Sequence, residues 1–303
     1  MKKDIKQIIK VDGEKICRCT TPDSRWYGRD FQNEETGLPE IKWYPSVTWI
    51  KGYYYTSPYL VKWIASQGMT EAERIKKEAG VKGDRVHQAT EVLDINGEIG
   101  ITDKYLNKET DEMEELTADE LAAIQSYQRF IDEVKPELIA NEMTVFGENY
   151  AGTLDRIWAI GYVKEGVRQI HIIDLKTSKS IWKDMLLQVG AYSHADIDYE
   201  KLGITKEEWD NRKLDILQIG YPRNKNGYKF TEIPDRYDLF KLAYKVWEEE
   251  NPNSKPKQRD FPLIIKSAWR KEQNEASIGK VRGIDAKVKE NKKVADKPIK
   301  KSK

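Results

Sequence analysis

Asp174 and Lys176 close an apolar run at residues 170–176, and a spacing of two puts this acid and amine side by side on one face of an extended strand. Ile170 and Ile172 share that face, while His171, Ile173 and Leu175 take the other. Taken alone, the pair reads as an ordinary ion pair. The preceding strand carries Asp155, in Gly152-Thr153-Leu154-Asp155, and pairing the two strands as a hairpin brings Asp155 beside Asp174. Neighbouring carboxylates repel each other unless a cation lies between them. Hard oxygen ligands of this kind suit Mg²⁺ or Mn²⁺, ions that keep several waters and accept phosphate oxygens. A metal-bound water can attack a phosphodiester, with Lys176 helping to deprotonate it or stabilising the charge that develops.

Two helical segments add to this set. In Gly83-Asp84-Arg85-Val86-His87, the histidine shares a helix face with Glu91, four residues on, and its imidazole can complete a metal shell. Gln188 and Tyr192 have the same spacing on the helix that follows Asp174. Separately, each pair is as well explained by packing, as a helix histidine with satisfied nitrogens or a polar cap on a core-packed helix. It is the ordered set of four that points to chemistry.

The elements that must position these residues are readable in outline. Residues 14–56, with many aromatics and turn formers, suggest short strands and loops, and 59–66 a helix. Thr70-Glu71-Ala72-Glu73 has the pattern of a capping box opening a helix that resumes over 81–93. After an acidic loop, Thr117-Ala118-Asp119-Glu120 is a second such box, for a helix that Pro136 ends. Residues 138–146, 152–163 and 167–176 read as three strands, 181–195 as a helix, 214–221 and 228–233 as strands, and 235–250 as a helix. The order predicts an α/β fold with a central mixed sheet flanked by helices.

Gly83-x-x-x-His87, Gly152-x-x-Asp155, Asp174-x-Lys176 and Gln188-x-x-x-Tyr192, in that order on helix, strand, strand and helix, resemble the motifs of the PD-(D/E)XK nuclease superfamily. The closest likeness is to its RecB-like exonuclease branch, over residues 80–235. Tyr44-Pro45-Ser46-Val47-Thr48 and Leu60-Val61-Lys62-Trp63 are also similar to segments of mitochondrial genome maintenance exonucleases and their phage relatives. The resemblance implies a restriction-endonuclease-like core at 70–265, behind a β-rich and helical, aromatic-rich N-terminal cap at 1–69. It further implies that His87, Asp155, Asp174 and the backbone carbonyl of Leu175 hold Mg²⁺ or Mn²⁺, and that Lys176 orients or activates the attacking water. Gln188 would support the site, and Tyr192 would touch DNA or brace the lysine strand. Glu91 and Glu142 are weaker candidates, for a second metal or for hydrogen bonds to the ligands. Thr177, Ser178 and Lys179 are candidates for DNA phosphate contacts. Asp174 stands where many members carry Glu. Some relatives hold an iron–sulfur cluster on four cysteines; Cys17 and Cys19 are the only two here, so no cluster is expected, which argues against a cluster-dependent CRISPR adaptation nuclease.

The activity so implied is a metal-dependent DNA exonuclease in replication, recombination or repair, with a phage origin plausible. The alternatives are a structure-selective DNA endonuclease of the same fold, or a silent nucleic-acid-binding accessory protein. No phosphate-loop motif G-x-x-x-x-G-K-[ST] occurs, so any helicase would be a separate partner, as would a single-strand-annealing protein.

Composition fits this reading. Of 303 residues, 34% are charged, and 31 aromatics are more than a disordered chain carries. No apolar run is long enough to span a bilayer and no signal peptide is evident, so cytoplasmic residence is expected, in a host's cytoplasm for a phage protein. The net charge of +1 divides unevenly. Residues 266–303 hold 13 Lys/Arg against 5 Asp/Glu, a basic tail suited to polyanions, and residues 1–265 hold 39 against 46. Between Trp26 and Trp63, 11 aromatics alternate with basic residues, either as a small aromatic core or, with Tyr53, Tyr54 and Tyr55 too crowded to be buried on one strand face, as a platform for stacked bases.

Overall fold

A computed structural model describes residues 5–11, 14–20, 24–32, 39–54 and 57–256. The N-terminal sequence forms an antiparallel sheet of β1 (Ile5–Val11), β2 (Glu14–Thr20), β3 (Arg25–Gln32) and β4 (Pro39–Pro45), in that order. Ser46 ends it and caps α1 (Val47–Ile50), its Oγ accepting from the Trp49 N–H at 3.1 Å. A 3₁₀ turn at Lys51–Tyr53 follows. Tyr53 and Tyr54 therefore lie in a turn and not on a strand.

Pro58, a residue suited to the first helical turn, opens α2 (Pro58–Gln67). The next helix, α3 (Met69–Asn96), runs 28 residues without a break. This corrects two expectations. The Thr70 capping box is not used, because the helix starts a residue earlier behind Gly68 and no side chain caps it. Nor do Gly80 and Gly83 interrupt it: a helical glycine costs only about 1 kcal/mol, which the packing of Val86 and Ala89 offsets. The expected acidic loop is a hairpin of β5 (Lys104–Asn107) and β6 (Glu112–Glu115), held to α3 by Arg85, which bonds Glu114 at 2.7 Å and the buried Glu120 at 2.7 and 3.0 Å. Thr117 and Glu120 form the expected capping box of α4 (Ala118–Val134), which stops at the left-handed Lys135 before Pro136.

The centre is a five-stranded mixed sheet. It contains β7 (Glu137–Phe146), β8 (Ala151–Lys164), β9 (Val167–Lys176), β10 (Lys213–Ile219) and β11 (Tyr228–Glu232), ordered β11-β10-β9-β8-β7, with only the β9–β10 pair parallel. The turn between β8 and β9 uses Gly166 at φ 76°. The parallel crossover carries α5 (Lys183–Ser193) and α6 (Lys206–Asp210), the latter not read from sequence; α7 (Tyr237–Glu250) closes the described chain. Ile170, Ile172 and Ile216 face α1, α5 and α7, and Ile173, Leu175 and Leu217 face α3 and α4, so both sheet faces are covered. No helix among the described residues is long and apolar enough to cross a membrane. Tyr55 and the basic segment 266–303 lie outside the described residues.

Candidate metal centre and groove

The site forms where β8 and β9 part. Their ladder reaches Arg156 opposite Ile173 and goes no further, so the Leu175 N–H and C=O need other partners. Asp155 Oδ2 accepts from the Leu175 N–H at 2.7 Å, and His87 Nε2, arriving on α3, lies 3.0 Å from the Leu175 oxygen. Two ligand candidates are thus anchored on one peptide segment.

Glu142 lies opposite Asp155 in the β7–β8 register, between the pairs Asn141–Arg156 and Met143–Leu154. Its φ of 48° is left-handed, a conformation that costs a side-chain-bearing residue about 1–3 kcal/mol and turns the strand locally. Ligand atoms of His87, Glu142 and Asp155 all fall within 4.8 Å of one another, with His87 Nδ1 3.5 Å from Glu142 and 3.8 Å from Asp155. Buried Arg156 holds Glu142 from behind at 3.3 Å and reaches Asp94 at 2.6 Å, and Tyr127 donates to Asp94 at 2.7 Å.

Asp174 stands across from Asp155. Its Oδ1 accepts from Gln188 Nε2 at 3.0 Å, and its Oδ2 lies 2.7 Å from Lys176 Nζ but has no aligned hydrogen-bond donor, although it is buried. Burial, reinforced by the Asp155 charge, raises Asp174 above the usual carboxylate range despite the lysine. Burial alone would depress Lys176, but Asp174 and Asp155 outweigh it and hold the ammonium above its ordinary value. His87 behaves alike: burial is overcome by Asp155 and Glu142, and its pKa rises. Glu91, half-buried nearby, is raised by burial and by Glu142. Glu142 moves down, the pull of His87 and Arg156 exceeding the penalty of burial. The site therefore favours added positive charge. The grouped His87, Glu142 and Asp155, the buried Asp174 carboxylate beside them and the Leu175 carbonyl are a donor set that fits Mg²⁺ or Mn²⁺.

Gln188 also donates to the Tyr192 hydroxyl at 3.2 Å. Tyr192 is 3% exposed and lies against Gly152, where an added Cβ would sit 2.5 Å from the ring. That burial fits the bracing role, and Tyr192 also lines the groove over the site. Thr177 and Ser178 line this groove of about 610 Å³, together with Arg18, Arg25, Tyr27, Thr48, Lys82 and Lys108. Ser178 Oγ is engaged with the Ser180 carbonyl at 2.9 Å, and Lys179 is exposed. A second cavity, of about 620 Å³ between α3 and α4, has charges that pair among themselves, as Lys77–Glu109 at 2.6 Å and Lys82–Asp119 at 3.4 Å.

Of the three tyrosines of the expected platform, Tyr53 and Tyr54 are among the described residues, and both are half-buried. Tyr53 and Tyr54 pack against the core beside α7, and the Tyr53 hydroxyl accepts from Asn251 at 3.2 Å. Trp26, Trp49 and Trp247 meet edge to face with centroids 5.1–5.9 Å apart, so these aromatics build a core. Sequence reasoning missed Lys51, whose Nζ lies 2.7 Å from Gln188 Oε1, and Arg156 with Asp94. An arginine inside the apolar run 154–160 was a usable signal, since a charge buried in a strand requires a partner. A scan against models of known protein families found no match, and a search of curated proteins found none either.

Proposed function

We propose that this chain is a metal-dependent deoxyribonuclease with a PD-(D/E)XK core, acting as an exonuclease of the RecB-like kind behind its N-terminal cap. One observation carries the reading. Where two strands separate, Asp155 and His87 converge on the Leu175 peptide with Glu142 beside them, and the neighbouring Asp174 pairs with Lys176 at 2.7 Å.

His87, Asp155, Asp174 and the Leu175 carbonyl would hold Mg²⁺ or Mn²⁺, which supplies a more acidic water and neutralises phosphate charge. Lys176, held as an ammonium by Asp174 and Asp155, sits where it can orient the attacking water and stabilise the charge that gathers on the phosphate oxygens. Gln188 keeps Asp174 in place, and Tyr192 supports Gln188. Glu142 holds His87 from the far side, while Arg156 limits the carboxylate repulsion. Arg18, Arg25, Lys82 and Lys108 line the groove and would supply phosphate contacts that read no sequence, the two lysines by exchanging their exposed partners Asp119 and Asp84 for phosphate.

The test compares wild type, Asp174→Ala and Lys176→Ala on linear and closed circular DNA, with Mg²⁺, Mn²⁺ or chelator. Metal-dependent loss of linear DNA by wild type alone is the expected result. Cleavage of closed circles would make the enzyme an endonuclease, and no cleavage of any DNA would leave a binding role.

A further inference from the structure

Several side chains of the N-terminal part line the groove, and one of them, Lys51, reaches the Gln188 carboxamide itself. Lys51, in the turn after α1, is 13% exposed and places Nζ 2.7 Å from Gln188 Oε1 and 3.0 Å from Asp184 Oδ2. An ammonium has three donors and no acceptor, so the Gln188 atom it meets must be the carbonyl oxygen. That assignment leaves the amide nitrogen toward Asp174 Oδ1, at 3.0 Å, and the Tyr192 hydroxyl, at 3.2 Å. Turned over, the carboxamide would point its NH₂ at an ammonium and its oxygen at a carboxylate, two repulsive contacts in a site with little water to screen them.

We propose that Lys51 is a positioning residue that acts through Gln188, selecting the one carboxamide orientation that donates to Asp174 and so fixing the Asp174 carboxylate for metal and water. Asp184 does not explain the placement of Lys51. That aspartate is 41% exposed and could pair with an ammonium in solvent, whereas Lys51 is drawn inward beside another lysine. Burial, followed by the Lys176 charge, pushes Lys51 below the ordinary lysine range, so its location works against its own charge. The consequence is that docking of the N-terminal segment sets the geometry of the catalytic strand.

The chemical part of this inference rests on the nuclease reading; the carboxamide orientation does not. Two kinds of measurement separate them. In steady-state cleavage of linear DNA with Mn²⁺, Lys51→Met is expected to lose about 10–100-fold in kcat with KM little changed, and Lys51→Arg to recover most of the loss. Combining Lys51→Met with Gln188→Leu should cost no more than Gln188→Leu alone. Full activity of Lys51→Met, or losses that multiply in the double variant, overturns the proposal. Amide ¹H–¹⁵N spectra report the geometry without turnover. The Gln188 carboxamide signals, identified by their absence from Gln188→Leu, should be shifted and slow to exchange in wild type and Lys51→Arg, and move toward free-amide values in Lys51→Met. If wild type cleaves no DNA, the nuclease reading fails and the spectra decide the orientation: unchanged Gln188 signals in Lys51→Met overturn it, and collapsed signals uphold it. Lys51→Ala, which likewise removes the donor, is read by the same criteria if Lys51→Met does not fold.

Discussion

At the start of β9, Arg168 meets Glu208 at 2.8 and 3.2 Å, Glu137 at 2.9 Å and the Gly203 carbonyl at 2.6 Å, and Glu208 also accepts from two backbone N–H groups. Six residues on, Asp174 pairs with Lys176 at 2.7 Å but faces Asp155, beside a groove that Glu142 and Glu91 also line. The same strand thus holds acid in opposite ways. Hydrogen bonds from Arg168 lower Glu208 to about 2, whereas burial raises Asp174. Matched charge needs nothing further and is structural. Carboxylates crowded together and kept in place by neighbours are a standing demand for a further cation, and a fold retains that demand where it has a use.

The sharpest way to break the comparison is to remove charge at the end of β9. Lys176→Met is expected to lower cleavage of linear DNA by roughly 10²–10⁴-fold, and Asp174→Asn to leave no metal-dependent rate. Glu208→Gln should stay near the wild-type rate under the same Mn²⁺ conditions in a single-turnover assay. A comparable fall in Glu208→Gln would mean that the two ends are not functionally distinct.

Arg156 tests how much repulsion the site contains. Its guanidinium is fully buried between Asp94 and Glu142, and truncation leaves an uncompensated acid in the interior. Arg156→Met is therefore expected to destabilise the fold by about 3–5 kcal/mol in urea unfolding. A loss below 1 kcal/mol would show the carboxylates to be better solvated than their burial suggests. Metal acts on the same repulsion in the other direction. At 100 times its dissociation constant, Mn²⁺ should stabilise wild type by about 2.7 kcal/mol, reversibly with chelator, and should do so little in Asp174→Asn.

How far the sequence could be read follows from which geometric rules are local. Asp174 and Lys176 share a face because strands alternate, Asp155 arrives opposite by hairpin register, and His87 comes with a helix face, so these four were legible. Glu142 ranked lower because it enters through a left-handed kink that alternation does not foresee. Lys51 and Gln188 are 137 residues apart, and no local pattern links them. The β5–β6 hairpin was read as a loop because Glu112 and Glu114–Glu115 are poor strand formers, rescued by a buried arginine on another element. The helix expected to resume at Val81 is continuous from Met69, because Val86 and Ala89 pack against α4 and the sheet and offset the cost of Gly80 and Gly83.

The smallest expected effect concerns pH. Glu208 is held at about 2 in the folded chain by its Arg168 bonds and by the Thr205 and Arg168 N–H groups, well below the roughly 4.3 of an unfolded glutamate. A depressed acid contributes stability that is complete above the unfolded value and is lost as pH falls through the folded one. The difference in thermal midpoint between wild type and Glu208→Gln should therefore be constant from pH 7 to about 5, narrow below roughly 4.3, and be nearly gone at about 2. Chelator should be present throughout, so that protons and metal do not compete at the other end of β9. A gap that stayed constant down to pH 2 would mean that the loss in Glu208→Gln comes from packing and not from charge, and would remove the matched end from the comparison.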